Sequence, residues 1–132
     1  MRFNNICNFK CRTCGQEWSS QWEQENKKVQ AINYYPNPKF NSQPLFNDVL
    51  KNLDTLDSAY FAGGEPLMQE EHYAILDKLV EEKNFDIDIR YNTNFSKLIN
   101  KKIDIIDYWK QFKNLNIHAS IDGSYKKGEY WR

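Results

Sequence analysis

The sequence alternates between short apolar runs that end at glycine, asparagine or aspartate and longer stretches with apolar residues at helical spacing. That alternation limits the fold more than any other feature. Arg2 to Asn8 reads as a short strand, and the polar stretch Ser19–Gln30 as a helix capped by Ser19 or Ser20, with Trp18 and Trp22 on one helical face. Leu45 to Leu53 carries Leu45, Val49, Leu50 and Leu53 at helical spacing. The run Ser58–Ala62 predicts a strand that stops at Gly63-Gly64-Glu65-Pro66. Gln69 to Lys83 predicts a helix through Tyr73, Ile75, Leu76, Leu79 and Val80. Asp86 to Tyr91 alternates about Ile87 and Ile89 and runs on into Asn92-Thr93-Asn94. Ile103 to Phe112 is helical, with Ile105, Ile106, Trp109 and Phe112 as its stripe, and Leu115 to Ile121 is a strand that ends at Asp122-Gly123.

Pro36, Pro38 and Pro44 mark residues 31–44 as an irregular connection. The remaining order implies βαβ units with right-handed crossovers, hence an α/β fold with a parallel sheet of about four βα units. The 132 residues suit one domain. A closed barrel needs more chain than this, and Gly128–Arg132 reads as the beginning of a further element.

In parallel sheets, ligands gather at the carboxyl ends of the strands, on the loops leading into helices. Four unusual stretches fall at that rim: the cysteine loop Cys7–Cys14, Gly63–Pro66, Asn92–Asn94 and Asp122–Gly123. Cys7, Cys11 and Cys14 are the only cysteines and form C-x3-C-x2-C. An odd, clustered set makes a poor disulfide framework and points to metal binding or reactivity. Thiolates are soft ligands that suit iron–sulfur clusters and zinc. Three of them leave one iron of a four-iron cluster open, whereas a structural zinc site wants a fourth Cys or His. The only histidines are His72 and His118, neither beside the cysteines in sequence. His72 is expected at the surface and His118 to pack or hydrogen-bond within the sheet.

Gly63-Gly64-Glu65-Pro66 has two readings. It is a strand-ending turn in which paired glycines permit positive φ. It is also a place where bare backbone can approach a ligand while Glu65 accepts a hydrogen bond from an ammonium group. Ser120 and Asp122 alternate onto one face of the last strand, where two polar side chains suit a ligand's hydroxyls or carboxylate. Asn92 and Asn94 alternate in the same way, although asparagine is foremost a turn residue. The four tryptophans read as core or cover, and Arg90 is left open between a ligand site and solvent.

Basic and acidic residues balance at 18 each, which gives no electrostatic footprint for nucleic acid. No apolar run approaches the ~18 residues that span a membrane, and the first residues lack the apolar core of a signal peptide. A cytoplasmic location is the expectation.

Taken together, Cys7-x3-Cys11-x2-Cys14 after a first strand, Gly63-Gly64-Glu65-Pro66 after the second and Ser120-Ile121-Asp122-Gly123 after the fourth resemble the radical S-adenosylmethionine (radical SAM) superfamily. The nearest likeness is to members with a SPASM or twitch extension, which include peptide- and protein-modifying enzymes. The resemblance implies the N-terminal part of a partial (β/α)6 barrel, with residues 1–132 as an incomplete core domain lacking C-terminal strands. It implies that Cys7, Cys11 and Cys14 bind three irons of a [4Fe–4S] cluster and that S-adenosylmethionine chelates the fourth. One electron, from a partner reductant of flavodoxin or ferredoxin type, then cleaves the sulfonium bond. The resulting 5′-deoxyadenosyl radical abstracts hydrogen from a substrate such as a peptide, nucleoside, nucleotide or protein glycine. Gly63, Gly64, Glu65 and Pro66 are implied to hold the methionine amino group, and Ser120 and Asp122 to lie near its carboxylate or the ribose. A non-catalytic iron–sulfur module for electron transfer and a structural zinc domain are the alternatives. The sequence departs from the family where Thr13 replaces a frequent aromatic residue and where Thr93-Asn94-Phe95 replaces a frequent Thr-Asn-Gly. It also departs in supplying about four of six βα units. That shortage fits a fragment or a chain completed by a partner, and either leaves an apolar sheet edge exposed near Leu115–Ile121.

Overall fold

A computed structural model of the chain describes residues 1–30, 34–35 and 41–132. Most of the connection expected at 31–44, Pro36 and Pro38 included, lies outside them; Pro44 sits in the first turn of a helix instead. Among the described residues, the parallel sheet has three strands in the order β1 (Ser58–Phe61), β2 (Asp88–Thr93) and then a third that is fifth in the chain. Between β2 and that strand come two two-residue strands, β3 (Ile99–Asn100) and β4 (Ile103–Asp104), paired as an antiparallel hairpin. The third sheet strand is therefore β5 (Asn114–Ala119). Both sheet neighbours pair in parallel, with Tyr60 opposite Arg90 and Arg90 opposite Asn116.

The strand expected at Arg2–Asn8 does not form as a strand, so the sheet has three strands rather than four. The segment still runs beside β1. The terminal amine of Met1 donates to Tyr60 O, Ala62 N–H to Met1 O at 3.2 Å, and Glu65 N–H to Ile6 O at 2.7 Å. Asn4 Oδ1 takes the N–H of Ile6 at 3.0 Å, a local side-chain turn that competes with ladder pairing. Phe3 is nonetheless buried and joins the core.

Helix α1 (Ser20–Lys28) starts two residues after Trp18, so Trp18 and Trp22 do not share a helical face. Ser19 caps it, accepting Trp22 N–H at 3.5 Å, with Lys27 and Lys28 at the negative end of the helix dipole. Helix α2 (Gln43–Lys51) places Phe46, Val49 and Leu50 against the core. Helix α3 (Glu70–Glu81) buries His72, Tyr73, Ile75, Leu76 and Leu79, the stripe expected from its spacing together with one residue that was not. Helix α4 (Ile105–Trp109) is shorter than the stretch 103–112 suggests, because Ile103 and Asp104 pair in the hairpin. The hairpin turns through Lys101 and Lys102 at φ 47° and 71°. Two-residue turns of this kind favour Asn-Gly, so two lysines give no sequence signal for it. Helix α5 (Tyr125–Trp131) closes the described chain.

The sheet is covered on one face. Ala59 and Phe61 of β1 and Ile89, Tyr91 and Thr93 of β2 point into the core formed with α3 and α4. The other face presents Tyr60, Arg90, Asn92, Asn116 and His118, all exposed. Parallel sheets are ordinarily covered on both faces, so this polar face is unusual. It also corrects the expectation for His118, which is exposed instead of packed, and resolves Arg90, which points to solvent and donates through Nε to Asp88 at 3.0 Å. β5 is the edge strand, with Leu115 and Ile117 half-buried and Ile121 beyond it 70% exposed. No described helix is long and apolar enough to cross a membrane.

Candidate metal and cofactor site

The cysteine loop is tied to the first turn of α1. Ser19 donates its hydroxyl to Phe9 O at 2.6 Å, and Ser20 Oγ takes the N–H of Cys7 at 3.2 Å. Ser20 N–H reaches Asn5 O at 2.8 Å, and the Trp22 indole N–H reaches Cys11 O at 2.9 Å. Cys14 N–H donates to Cys11 O at 2.9 Å, closing a tight turn through Arg12 and Thr13. Polar residues at the head of α1 therefore fold the loop back over the carboxyl ends of the strands.

Gly64 sets how close that loop can come. Its φ is 61°, and a Cβ there would lie 2.5 Å from the backbone oxygen of Ile6. Gly63, at φ 85°, leaves room for the Arg2 side chain, whose guanidinium lies 4.1 Å over the Trp18 ring. Both glycines are needed for left-handed backbone and close approach together.

The three thiols, Thr13, Trp18, Gly63 and Gly64, Asn92 to Asn94, Ser120 and Arg132 all line one open cavity of about 460 Å3. Tyr60 and Ala62 complete its wall, and Tyr60 and Asn92 carry the cavity onto the uncovered polar face of the sheet. Three of the four stretches expected at the rim thus meet, the cysteine loop, Gly63-Gly64 and Asn92–Asn94; from the end of β5 it is Ser120 that lines the cavity, and Asp122 and Gly123 do not. Asp122 Oδ2 lies 2.8 Å from Arg132 Nε, near enough for an ion pair but without the alignment of a hydrogen bond.

Cys11 is buried, Cys7 half-buried and Cys14 exposed. Burial is the main influence on all three thiols and pushes each pKa up. The charge of Arg132 opposes this at Cys11 and Cys14, and the Phe9 N–H, 3.5 Å from Cys7 Sγ, opposes it at Cys7. Each thiol also raises a neighbour's pKa by like charge, Cys11 on Cys7, Cys14 on Cys11 and Cys7 on Cys14, so the trio is electrostatically one group. Among the described residues no three Cys, His, Asp or Glu side chains converge to hold a single metal ion. A four-iron cluster asks something different: soft donors placed at separate corners, one corner left without a protein ligand. Three thiols spread around one cavity fit that demand.

Glu65 and Pro66 do not line the cavity. Glu65 is fully buried behind it, where Oε1 accepts Leu67 N–H at 3.2 Å and the Thr93 hydroxyl at 2.6 Å, and Oε2 accepts Asn94 N–H at 2.7 Å. Burial raises its pKa, against the pull of those three donors. Pro66 opens a short 3-10 turn at Pro66–Met68 and is buried. What the tetrapeptide offers a ligand is the Gly63 and Gly64 backbone. The Gly63 carbonyl already accepts Gln69 Nε2 at 2.9 Å, which fixes its direction and leaves it a second lone pair.

His72 is fully buried, contrary to expectation, with Nε2 2.7 Å from the Tyr91 hydroxyl. Burial lowers its pKa from 6.5 to about 3, so the ring is neutral. Four lining residues were not expected: Trp18, Tyr60, Ala62 and Arg132. Tyr60 and Trp18 carry no signal beyond being aromatic, and Arg132 reaches the site only because α5 turns back: Arg12 N–H donates to Trp131 O at 2.8 Å and the Arg12 guanidinium lies 3.9 Å over the Tyr130 ring.

Neither a curated protein nor a solved structure matches this chain. A family model described as the radical SAM superfamily matches residues 1–131. Its span takes in the cysteine loop, the paired glycines and all three sheet strands, and the chain belongs to the radical SAM superfamily.

Proposed function

We propose that Cys7, Cys11 and Cys14 hold a [4Fe–4S] cluster, that S-adenosylmethionine takes the iron they leave open, and that the chain is the part of a radical SAM enzyme that begins radical chemistry. The observation that carries this reading is the convergence of three thiols with the ends of β1, β2 and β5 around one cavity. Its volume, about 460 Å3, lies within the ~300–1,000 Å3 of small-molecule sites. Bound there, cluster and cofactor supply one-electron cleavage of the sulfonium bond and hydrogen-atom abstraction.

The chain's own groups bind, orient and exclude. Gly63 and Gly64 offer backbone to the amino group of the cofactor. Glu65 serves from behind, holding the loops after β1 and β2 in register through Thr93 and Asn94. Ser120 lines the cavity and offers its hydroxyl to a carboxylate or ribose, and Asp122 acts through its pairing with Arg132. Tyr60, Asn92, Asn116 and His118 lead away from the cavity and orient a substrate of peptide or protein character, bringing one C–H bond to the reacting carbon. A one-electron reductant of flavodoxin or ferredoxin type is the partner this chemistry requires.

Anaerobic reconstitution with iron and sulfide, reduction and addition of S-adenosylmethionine tests the reading, with 5′-deoxyadenosine as the product assayed. Protein-dependent 5′-deoxyadenosine is expected. A cluster without cleavage supports an electron-transfer module or an incomplete enzyme. Retained zinc with no iron chromophore overturns both.

A further inference from the structure

We infer that Asn94 is a positioning residue for the metal site: its side-chain amide donates an N–H to the sulfur of Cys7, holding that ligand and setting how readily the metal group it binds accepts an electron. The inference rests on the reading of Cys7 as a cluster ligand.

The orientation of the Asn94 amide follows from its partners. Oδ1 accepts the backbone N–H of Ser96 at 3.0 Å and the Ser96 hydroxyl at 2.6 Å. Only an oxygen can take two donors there, so Nδ2 must face the other way. It faces Asn8 Oδ1 at 3.0 Å and Cys7 Sγ at 3.8 Å. Asn8 Nδ2 in turn donates to Ser96 Oγ at 2.9 Å, closing a ring of three side chains beside the sulfur. The backbone beneath is equally constrained, because Asn94 N–H donates to the buried carboxylate of Glu65 at 2.7 Å. The Asn94 amide therefore cannot swing away from Cys7 without breaking its bonds to Asn8 and Ser96, and its backbone cannot shift without breaking the bond to Glu65.

Cys7 Sγ receives one N–H from its own loop, Phe9 at 3.5 Å, and one from the loop after β2, Asn94. The second is a bond between separate elements, so it fixes where the sulfur stands relative to the strand ends. Hydrogen bonds to cluster sulfurs favour the reduced state, which carries one more negative charge. Asn94 should accordingly raise the potential of a cluster bound through Cys7.

The test is a potentiometric titration, followed by electron paramagnetic resonance, of reconstituted wild-type chain and three variants. Asn94→Ala removes the donor. Asn94→Asp keeps size and the oxygen facing Ser96 but exchanges the donor for a negative oxygen. Ser96→Ala weakens the ring and leaves the N–H in place. The midpoint is expected to fall in Asn94→Ala, further in Asn94→Asp, and least in Ser96→Ala. Loss of iron from both Asn94 variants with retention in Ser96→Ala supports the same holding role. Full iron at the wild-type potential in both Asn94 variants overturns the inference. A wild-type chain that assembles no cluster overturns the underlying reading instead.

Discussion

The carboxylate of Glu65 accepts the backbone N–H of Asn94 at 2.7 Å, joining two loops that lie at adjacent strand ends. The same carboxylate takes the Thr93 hydroxyl and Leu67 N–H, and the residue is fully buried. A buried donor left without an acceptor costs about 1–3 kcal/mol. Glu65→Gln keeps the shape but turns donors toward donors, and should lower stability by about that amount in urea unfolding. Glu65→Ala strands all three donors and should cost more. An unchanged unfolding midpoint in both variants would show that the bridge is not structural.

Gly64 carries the approach of the cysteine loop to β1. In Gly64→Ala the new Cβ would lie 2.5 Å from Ile6 O at a φ of 61°, and neither backbone can yield cheaply. The loop should be pushed off the rim, with a stability loss of ~1–3 kcal/mol from the strained backbone alone. Iron bound after anaerobic reconstitution should drop at the same time. Wild-type iron content in a folded Gly64→Ala chain would contradict this.

His72 makes stability depend on pH. Its folded pKa is held near 3 by burial, against 6.5 for an ordinary histidine. As pH falls below about 6.5 the unfolded chain takes up a proton that the folded chain refuses, so stability present above that pH is lost on the way down. Glu65 works in the opposite sense, since its raised carboxyl pKa favours the folded chain as it protonates. Between pH 7.5 and 5 the histidine alone should account for about 2 kcal/mol. Urea midpoints at the two pH values measure it, and His72→Phe should flatten the difference while losing the bond to Tyr91. The same pH dependence in wild type and His72→Phe over this range would refute the assignment.

Phe95 stands where the family often has glycine, and the backbone explains the preference: φ is 59°, in the left-handed region. The ring offsets part of that strain by stacking on Trp109, at 6.1 Å between centroids and 19° between planes. Phe95→Ala loses the stacking and keeps the strain, whereas Phe95→Gly loses the stacking and relieves it. The glycine variant should be the more stable of the two by about 1 kcal/mol. Equal stabilities in thermal or urea unfolding would mean the backbone is not strained there.

Legibility in the sequence followed the range of the interactions. The stripe of α3, the alternation of β2 and the glycine turn were readable because each depends on neighbours within a few residues. The convergence of the rim was readable too, since strand ends of a parallel sheet share an edge. Glu65 was placed in the site but expected to meet an ammonium group, because its donors Thr93 and Asn94 lie 28 and 29 residues away. His72 looked like a surface residue beside Glu70 and Glu71, and only the packing of α3 over Phe61 and Tyr91 buries it. The first strand was lost to a local competitor, the Asn4 side chain, and the β3–β4 hairpin was invisible in two-residue strands joined by lysines.

The most direct test of the open corner is the electron paramagnetic resonance spectrum of the reduced, reconstituted chain before and after S-adenosylmethionine is added. About four irons and four sulfides per chain should accompany a cluster signal that changes shape when the cofactor binds, and Cys11→Ala should give neither iron nor signal. A full cluster whose spectrum S-adenosylmethionine leaves unaltered, or a Cys11→Ala chain that keeps its chromophore, would contradict the assignment of the three cysteines and the site beside them.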